Sequence, residues 1–284
     1  MQGFVLSFSH RKIDLTKKVA IMGILNLTPD SFYDGGRYKT EKEVLEKVEE
    51  MINEGADIID VGGESTRPGA EPVSVEEELR RTVPFIQKIT EKFKIPLSID
   101  TYKAKVAKEA CEAGAEMVND ISGLRFDPGM PEVVSSKKSY LVIMHIKGTP
   151  QNMQDNPTYK ALIPEIISYL KEGIEIARRA GIGFDKIIVD PGIGFGKRLE
   201  HNLSILKNLK KLTSLKRPIL VGVSRKSFIG QILNLPVEKR LTGSIAAACV
   251  AVLGGARIIR CHDVKQTRQA VDVVNAIMQE KVSL

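Results

Sequence analysis

Eight short apolar runs, separated by longer amphipathic stretches, constrain the fold of this chain more than any other feature. They occupy residues 19–26, 56–61, 96–100, 117–121, 140–145, 186–190, 218–222 and 257–261. Each is brief, rich in Val, Ile and Leu, and flanked by turn residues, the pattern of a strand buried on both faces of a parallel sheet. Helix-like segments follow at 41–54, 75–93, 103–113, 163–180, 199–212, 242–253 and 265–281, and a short crossover lies near 131–136. Eight strands in regular βα alternation predict a closed (β/α)8 TIM barrel, whereas an open doubly wound sheet would usually show fewer. Ahead of the first run, 4–8 and 12–15 are spaced to form a short N-terminal hairpin that caps the barrel floor. No linker or low-complexity tract breaks the pattern, so residues 1–284 are expected to form a single domain.

Composition excludes several classes of function. A core of this size needs no disulfide or metal staple. Cys111, Cys249 and Cys261 are far apart and lack ligand-like spacing; an odd count without a pairing pattern suits reduced thiols and a cytoplasmic location. No signal peptide stands at the start, and no apolar run reaches the length of a membrane span. The net charge of +7 comes from Lys and Arg interleaved with Glu along the helices, as at 42–50 and 76–81, the usual solvated face. With no Trp and 5% aromatic residues, the chain lacks the basic stripe with interleaved aromatics that nucleic acid requires. An anionic small molecule fits the positive balance.

The polar residues fall at the strand ends. Reading along the chain, the C-terminal ends carry Asn26, Asp60 with Gly62-Gly63-Glu64, Asp100, Asn119-Asp120, His145, Asp190, Ser224-Arg225-Lys226, and Arg260 with His262. One Asp after a strand is more often a helix cap than a catalyst. Eight such ends in register, converging on the mouth where barrel active sites lie, are hard to explain by capping alone. Four loops stand out. Residues 26–36 (NLTPDSFYDGG) predict an irregular, mobile loop. In 60–69 (DVGGESTRPG), paired glycines permit close backbone approach, and an Arg can clamp a phosphate bidentately. Residues 190–197 (DPGIGFGK) contain Gly-x-Gly but not the Walker spacing, and 222–228 (GVSRKSF) lack the second glycine of a nucleophile elbow.

Taken together, these loops with SIDT (98–101), NDISG (119–123), MHIKGTPQNMQ (144–154) and RCHDV (260–264) closely resemble the dihydropteroate synthases, from about Val19 to the C-terminus and in order. STRPG, GFGK and SRKSF in this order carry the specificity. Tyr33 in place of the more usual Ser, and a loose IKGTPQN, are small departures. The resemblance implies a transferase of folate biosynthesis. In that reaction p-aminobenzoate attacks the methylene carbon of 6-hydroxymethyl-7,8-dihydropterin diphosphate and diphosphate leaves, with Mg²⁺ required. It further implies that Asp100, Asn119, Asp190 and Lys226 face the pterin beside an apolar wall at Met144. Asn26, Arg67, Arg260 and His262 would meet the diphosphate, Asn26 also holding Mg²⁺. Asp34, Asp100 and Asp190 would stabilise a pterin cation. Phe32, Thr66, Pro68, Phe195 and Ser227 would form the slot for p-aminobenzoate, which sulfonamides imitate. The same resemblance leads to the expectation of a homodimer, through the last helices.

Three alternatives remain at this point. A pterin-binding methyltransferase would share the strand-end Asp and Asn residues but would need neither STRPG nor SRKSF. A silent paralogue would bind pterin without turnover. A basic nucleic-acid binder is disfavoured by composition.

Overall fold

The computed structural model describes residues 3–28 and 40–280. A two-stranded antiparallel hairpin, β1 (Val5–Ser7) and β2 (Lys12–Asp14), precedes eight parallel strands. These are β3 (Ala20–Asn26), β4 (Ile58–Gly62), β5 (Leu97–Asp100), β6 (Met117–Asp120), β7 (Tyr140–Met144), β8 (Ile187–Asp190), β9 (Leu220–Gly222) and β10 (Ile258–Cys261). The ladder order β8-β7-β6-β5-β4-β3-β10-β9 follows the chain around a cylinder. A single parallel bridge, Val189↔Ile219, joins the two ends, and the Val189 N–H donates to the Pro218 carbonyl at 3.0 Å. The sheet is therefore a barrel whose β8–β9 seam is its thinnest join.

The helices α1 (Glu41–Asn53), α2 (Val75–Lys92), α3 (Ala104–Glu112), α4 (Met130–Lys137), α5 (Leu162–Arg179), α6 (Leu199–Lys207), α7 (Ser227–Leu233), α8 (Leu241–Leu253) and α9 (Val264–Gln279) surround it. Local sequence starts them where expected. Thr40 accepts from the Glu43 N–H while the Glu43 carboxylate accepts from the Thr40 N–H, a capping box; Ser74 caps α2 by accepting from the Glu77 N–H. The expected 199–212 helix instead ends at Lys207 and gives way to a 3₁₀ stretch, Leu209–Leu215. Helix α7 is one that periodicity did not single out.

Strand side chains alternate faces, so residues two apart share the barrel interior. At the floor, Ala20, Met22, Ile58, Met117, Tyr140, Val142, Ile188, Leu220 and Ile258 form one apolar cluster, and Leu6, Phe8, Ile13 and Leu15 of the hairpin pack into it. The hairpin is the expected floor plug. Two residues further along the same strands, the same interior face turns polar: Asp60, Asn119, Asp190 and Arg260. A larger cluster on the outside of the strands seats the helices, with Ile59, Val61, Ile99, Val118, Ile143 and Val189 meeting helix residues such as Val48, Ile86, Ala107 and Leu170. The sequence alternation thus fixes an apolar lower layer and a polar upper one.

Candidate active site

Strand register aligns the upper layer. Asn26 pairs with Gly62, Gly62 with Asp100, and Asp100 with Asn119, so four adjacent strands end at one level. On the next pair of strands Met144 stands beside Asp190. A Cβ added to Gly62 would lie 3.7 Å from the Asn26 Oδ1 and 3.8 Å from the Asp100 Oδ2, ordinary contact distances that place both side chains over this glycine.

Arg260 organises this layer. Its Nε donates to Asp60 Oδ2 and its Nη2 to Asp100 Oδ2, both at 2.6 Å, and the Asn119 amide donates to the same Asp60 oxygen at 3.1 Å. The other oxygens, Oδ1 of Asp60 and Oδ1 of Asp100, are buried without a hydrogen-bond partner. Each open acceptor costs about 1–3 kcal/mol until a donor arrives. Asp60 is entirely buried and was not singled out as a site residue from sequence; its place at a strand end, between residues that were, is the signal that could have found it.

Asp190 ends β8 and accepts from the Gly192 N–H at 2.7 Å. Lys226 enters from the far side of the β8–β9 seam, its Nζ 4.2 Å from the centre of the Phe195 ring. The charge of Lys226 acts on both Asp100 and Asp190. Burial pushes the Asp100 carboxyl up to about 7, against the pull of Arg260 and with help from Asp60. Burial likewise pushes Asp190 up to about 6, opposed by the Gly192 N–H and by Lys226. Burial, with the nearby Arg260 charge, draws the Lys226 ammonium down to about 8. Burial also works against the Arg260 charge, but Asp60 and Asp100 outweigh it and hold the guanidinium above its ordinary range. The cavity is poorly solvated and holds its charges only through one another.

His262 follows Arg260 on β10. Its Nδ1 lies 3.0 Å from Ser224 Oγ, which also accepts the His262 backbone N–H at 3.2 Å. With the hydroxyl proton on Nδ1, the Nε2–H remains as a donor. Burial and the Arg260 charge bring His262 down to about 4, so the ring is neutral at pH 7. Arg225, between Ser224 and Lys226, has a left-handed φ of 55° and is held by a bidentate pair with Asp263 at 2.9 and 2.5 Å. That pair aims its neighbour Lys226 into the barrel.

Met144 lies in a buried cluster with Ile121, Ile146 and Met153, against which Tyr102, Phe126 and Phe195 pack. The cluster gives the layer an apolar side next to Asp190. Thr66 is half-buried, while Arg67, Pro68 and Ser227 are exposed around the mouth. Among the described residues no hydrogen bond joins Arg67 to Asn26, Arg260 or His262. Phe32 and Asp34 lie outside the described residues.

The loop after β4 is braced from below by groups that sequence reasoning missed. Lys103 Nζ bonds to Glu64 and, at 2.6 Å, to Glu78, and the Tyr102 hydroxyl donates to Glu64 at 2.5 Å. Among the described residues no group of three or more His, Cys, Asp and Glu is placed to hold a metal ion. A neutral amide oxygen at Asn26 with no carboxylate cage fits a cation that keeps most of its waters and takes other oxygens from a ligand, as Mg²⁺ does.

The chain matches the model of the pterin binding enzyme family over residues 22–262. It is 47% identical over 265 residues to the dihydropteroate synthase of Synechocystis sp., covering 93% of this chain and 92% of that one. The structure superposes on that of the Yersinia pestis dihydropteroate synthase, solved as a complex with a sulfonamide drug, with a TM-score of 0.92. The two are 43% identical, over 97% of this chain and 100% of the other. It also superposes on the Xanthomonas albilineans dihydropteroate synthase bound to 4-aminobenzoic acid, with a TM-score of 0.90. That pair is 40% identical, over 98% and 99% of the two chains. With near-complete coverage and the polar upper layer in place, the chain belongs to the dihydropteroate synthase family of pterin-binding barrel enzymes.

Proposed function

We propose that the protein is a dihydropteroate synthase that joins 6-hydroxymethyl-7,8-dihydropterin diphosphate to p-aminobenzoate, giving 7,8-dihydropteroate and diphosphate for folate biosynthesis. The observation that carries this reading is the polar layer itself. Asp60 and Asp100 leave open acceptors beside Asn119, Asp190 and Lys226. A flat heterocycle bearing ring N–H and amino donors and one carbonyl satisfies such a set, and a ligand lacking them leaves buried groups unpaired. Asp100, Asn119 and Asp190 bind and orient the ring, Lys226 donates to its carbonyl side, and Met144 covers one face.

The diphosphate lies at the mouth, where Arg260, His262 and Arg67 supply donors. Asn26, through its amide oxygen, would hold Mg²⁺, and that ion would supply charge neutralisation for the leaving group. The C–O bond to diphosphate breaks, and the positive charge left on the pterin methylene faces Asp100 and Asp190, which stabilise it electrostatically. The amine nitrogen of p-aminobenzoate then forms the C–N bond and sheds its proton. Phe195, Pro68 and Thr66 close around the aryl ring, and Ser227 at the start of α7 takes the carboxylate. Sulfonamides occupy the same slot. No side chain forms a covalent bond to substrate in this scheme.

Two further readings concern the whole molecule. Helix α8 (LTGSIAAACVAVL) carries no charged residue, and an all-round apolar helix needs cover. Its Val250 and Leu253, and the Val273, Ile277 and Met278 side chains of α9, are nonetheless exposed. This favours a homodimer through these helices. Among the described residues no helix is long and apolar enough to cross a membrane, and the three cysteines are free, which suits a cytoplasmic enzyme. Incubation with dihydropterin diphosphate, Mg²⁺ and p-aminobenzoate tests the main reading: dihydropteroate should form, and a sulfonamide should compete with p-aminobenzoate. Tight pterin binding without turnover would instead indicate a silent paralogue.

A further inference from the structure

Lys197 is 3% exposed, yet no carboxylate lies within ion-pairing distance of it among the described residues. Its Nζ is surrounded by neutral acceptors: His145 Nδ1 at 2.9 Å, the Phe195 carbonyl at 2.8 Å and the His145 carbonyl at 3.4 Å. A buried ammonium without an ion pair is costly unless hydrogen bonds compensate it, and three acceptors match its three N–H donors. Burial lowers Lys197 well below the usual lysine range against the pull of Asp190, and burial with the Lys197 charge brings His145 down to about 2, so the imidazole stays neutral and its Nδ1 can accept. A lysine tied to three acceptors in this way serves as a hydrogen-bonding strut.

What the strut holds is specific. Phe195 sits between Gly194 and Gly196, whose φ values of 84° and 64° lie in the left-handed region. Between two such glycines a peptide rotates readily unless something fixes it. The flanking peptides are fixed by Gln154 on the Gly194 carbonyl at 2.8 Å and by Tyr159 on the Gly196 carbonyl at 2.7 Å. The carbonyl of Phe195 itself is held by Lys197. On the other face of that residue, the ring meets Lys226. His145 is anchored in turn, 4% exposed, with its ring 4.7 Å from that of Tyr169 on α5.

We propose that the Lys197–His145 pair is a positioning device: it locks the Phe195 peptide so that the phenyl ring stays over Lys226 and forms a rigid wall of the p-aminobenzoate slot. The pair touches no substrate; it acts through Phe195. This inference rests on the dihydropteroate synthase reading, so wild-type turnover is established first, and its absence would count against that reading and not against the strut. In the active protein, Lys197→Met keeps the stem and removes the donor. The KM for p-aminobenzoate should rise about tenfold, with the KM for pterin diphosphate within about twofold of wild type.

His145→Leu, which removes only the imidazole acceptor, should show the same selective loss, and His145→Gln, which restores an acceptor, should recover most of it. The His145 variants carry the test alone if Lys197→Met does not fold. A merely structural role predicts a lower Tm with both KM values moved alike or not at all. That result, or equal behaviour of His145→Leu and His145→Gln, overturns the proposal.

Discussion

Asp100, Asp190 and Lys226 share one poorly solvated cavity, and their shifted ionisation makes activity a narrow function of pH. The carboxylates face a developing cation only when ionised, so kcat/KM should fall as pH drops through the values of about 7 and about 6 at which Asp100 and Asp190 take up protons. Lys226 donates best as an ammonium, so the rate should fall again as pH rises through about 8. The expected profile is a bell whose limbs belong to the coupled set, not to single residues. Lys226→Arg keeps the charge to much higher pH and should erase the alkaline limb while lowering the maximum; a limb that stays in place would assign it to another group. The same shifts bear on stability. A carboxyl raised in the folded protein favours folding most below its ordinary value near 3.8, and that contribution is lost as pH rises toward about 7. Site ligands should therefore raise Tm more at pH 8 than at pH 5.

At the scale of the element, the loop after β8 depends on backbone forms that only glycine adopts cheaply. Gly192 has a φ of 68°, and a Cβ there would collide with the His145 carbonyl oxygen. Gly69, in the loop after β4, has a φ of 77° but nothing within 4 Å of an added Cβ. Gly69→Ala should cost only the left-handed penalty of about 1–2 kcal/mol. Gly192→Ala should cost more in urea unfolding and should also displace Asp190; equal costs would mean that the loop yields freely. Elements of this kind were unevenly legible in the sequence. Strands β3–β10 were read within two residues because short, continuous apolar runs and flanking turn residues bound them. Helix α7 was hidden by its brevity and by Gly230 within it. The site was legible as a set of strand ends, since a barrel brings all ends to one mouth whatever their distance in sequence. The Lys197–His145 and Glu64–Lys103–Glu78 contacts were not, because they depend on which loops lie side by side and on side-chain direction.

The molecule as a whole is held at its floor and left open at its top. Asp57, 1% exposed, accepts from Arg11 at 3.0 Å, from Lys18 at 2.5 Å, from Arg268 at 3.3 Å and from the Ile21 N–H at 3.0 Å. One carboxylate thus ties the hairpin, the first barrel strand and the last helix together. Asp57→Ala removes the shared acceptor of Arg11, Lys18 and the Ile21 N–H, while Arg268 keeps Asp272, and should cost about 1–3 kcal/mol, read as a lower urea midpoint with little change in KM. On the flank, Ile277 is 69% and Val273 60% exposed on α9. If these sides of α8 and α9 meet in a homodimer, Ile277→Glu with Val273→Glu should give monomers by sedimentation at micromolar concentration. A wild-type protein that sediments as a monomer would end that reading.

Seven of the barrel's eight joins are ladders of paired residues, and the eighth is the single bridge from Val189 to Ile219. Asp190 and the loop bearing Phe195 stand on one lip of that join; Lys226 stands on the other. Thermal breathing concentrates where the fewest bonds must break, so this cylinder should yield there before anywhere else. The width of one crack then sets how far an anion and its cation stand apart, and a molecule lodged across both lips acts as the missing rung.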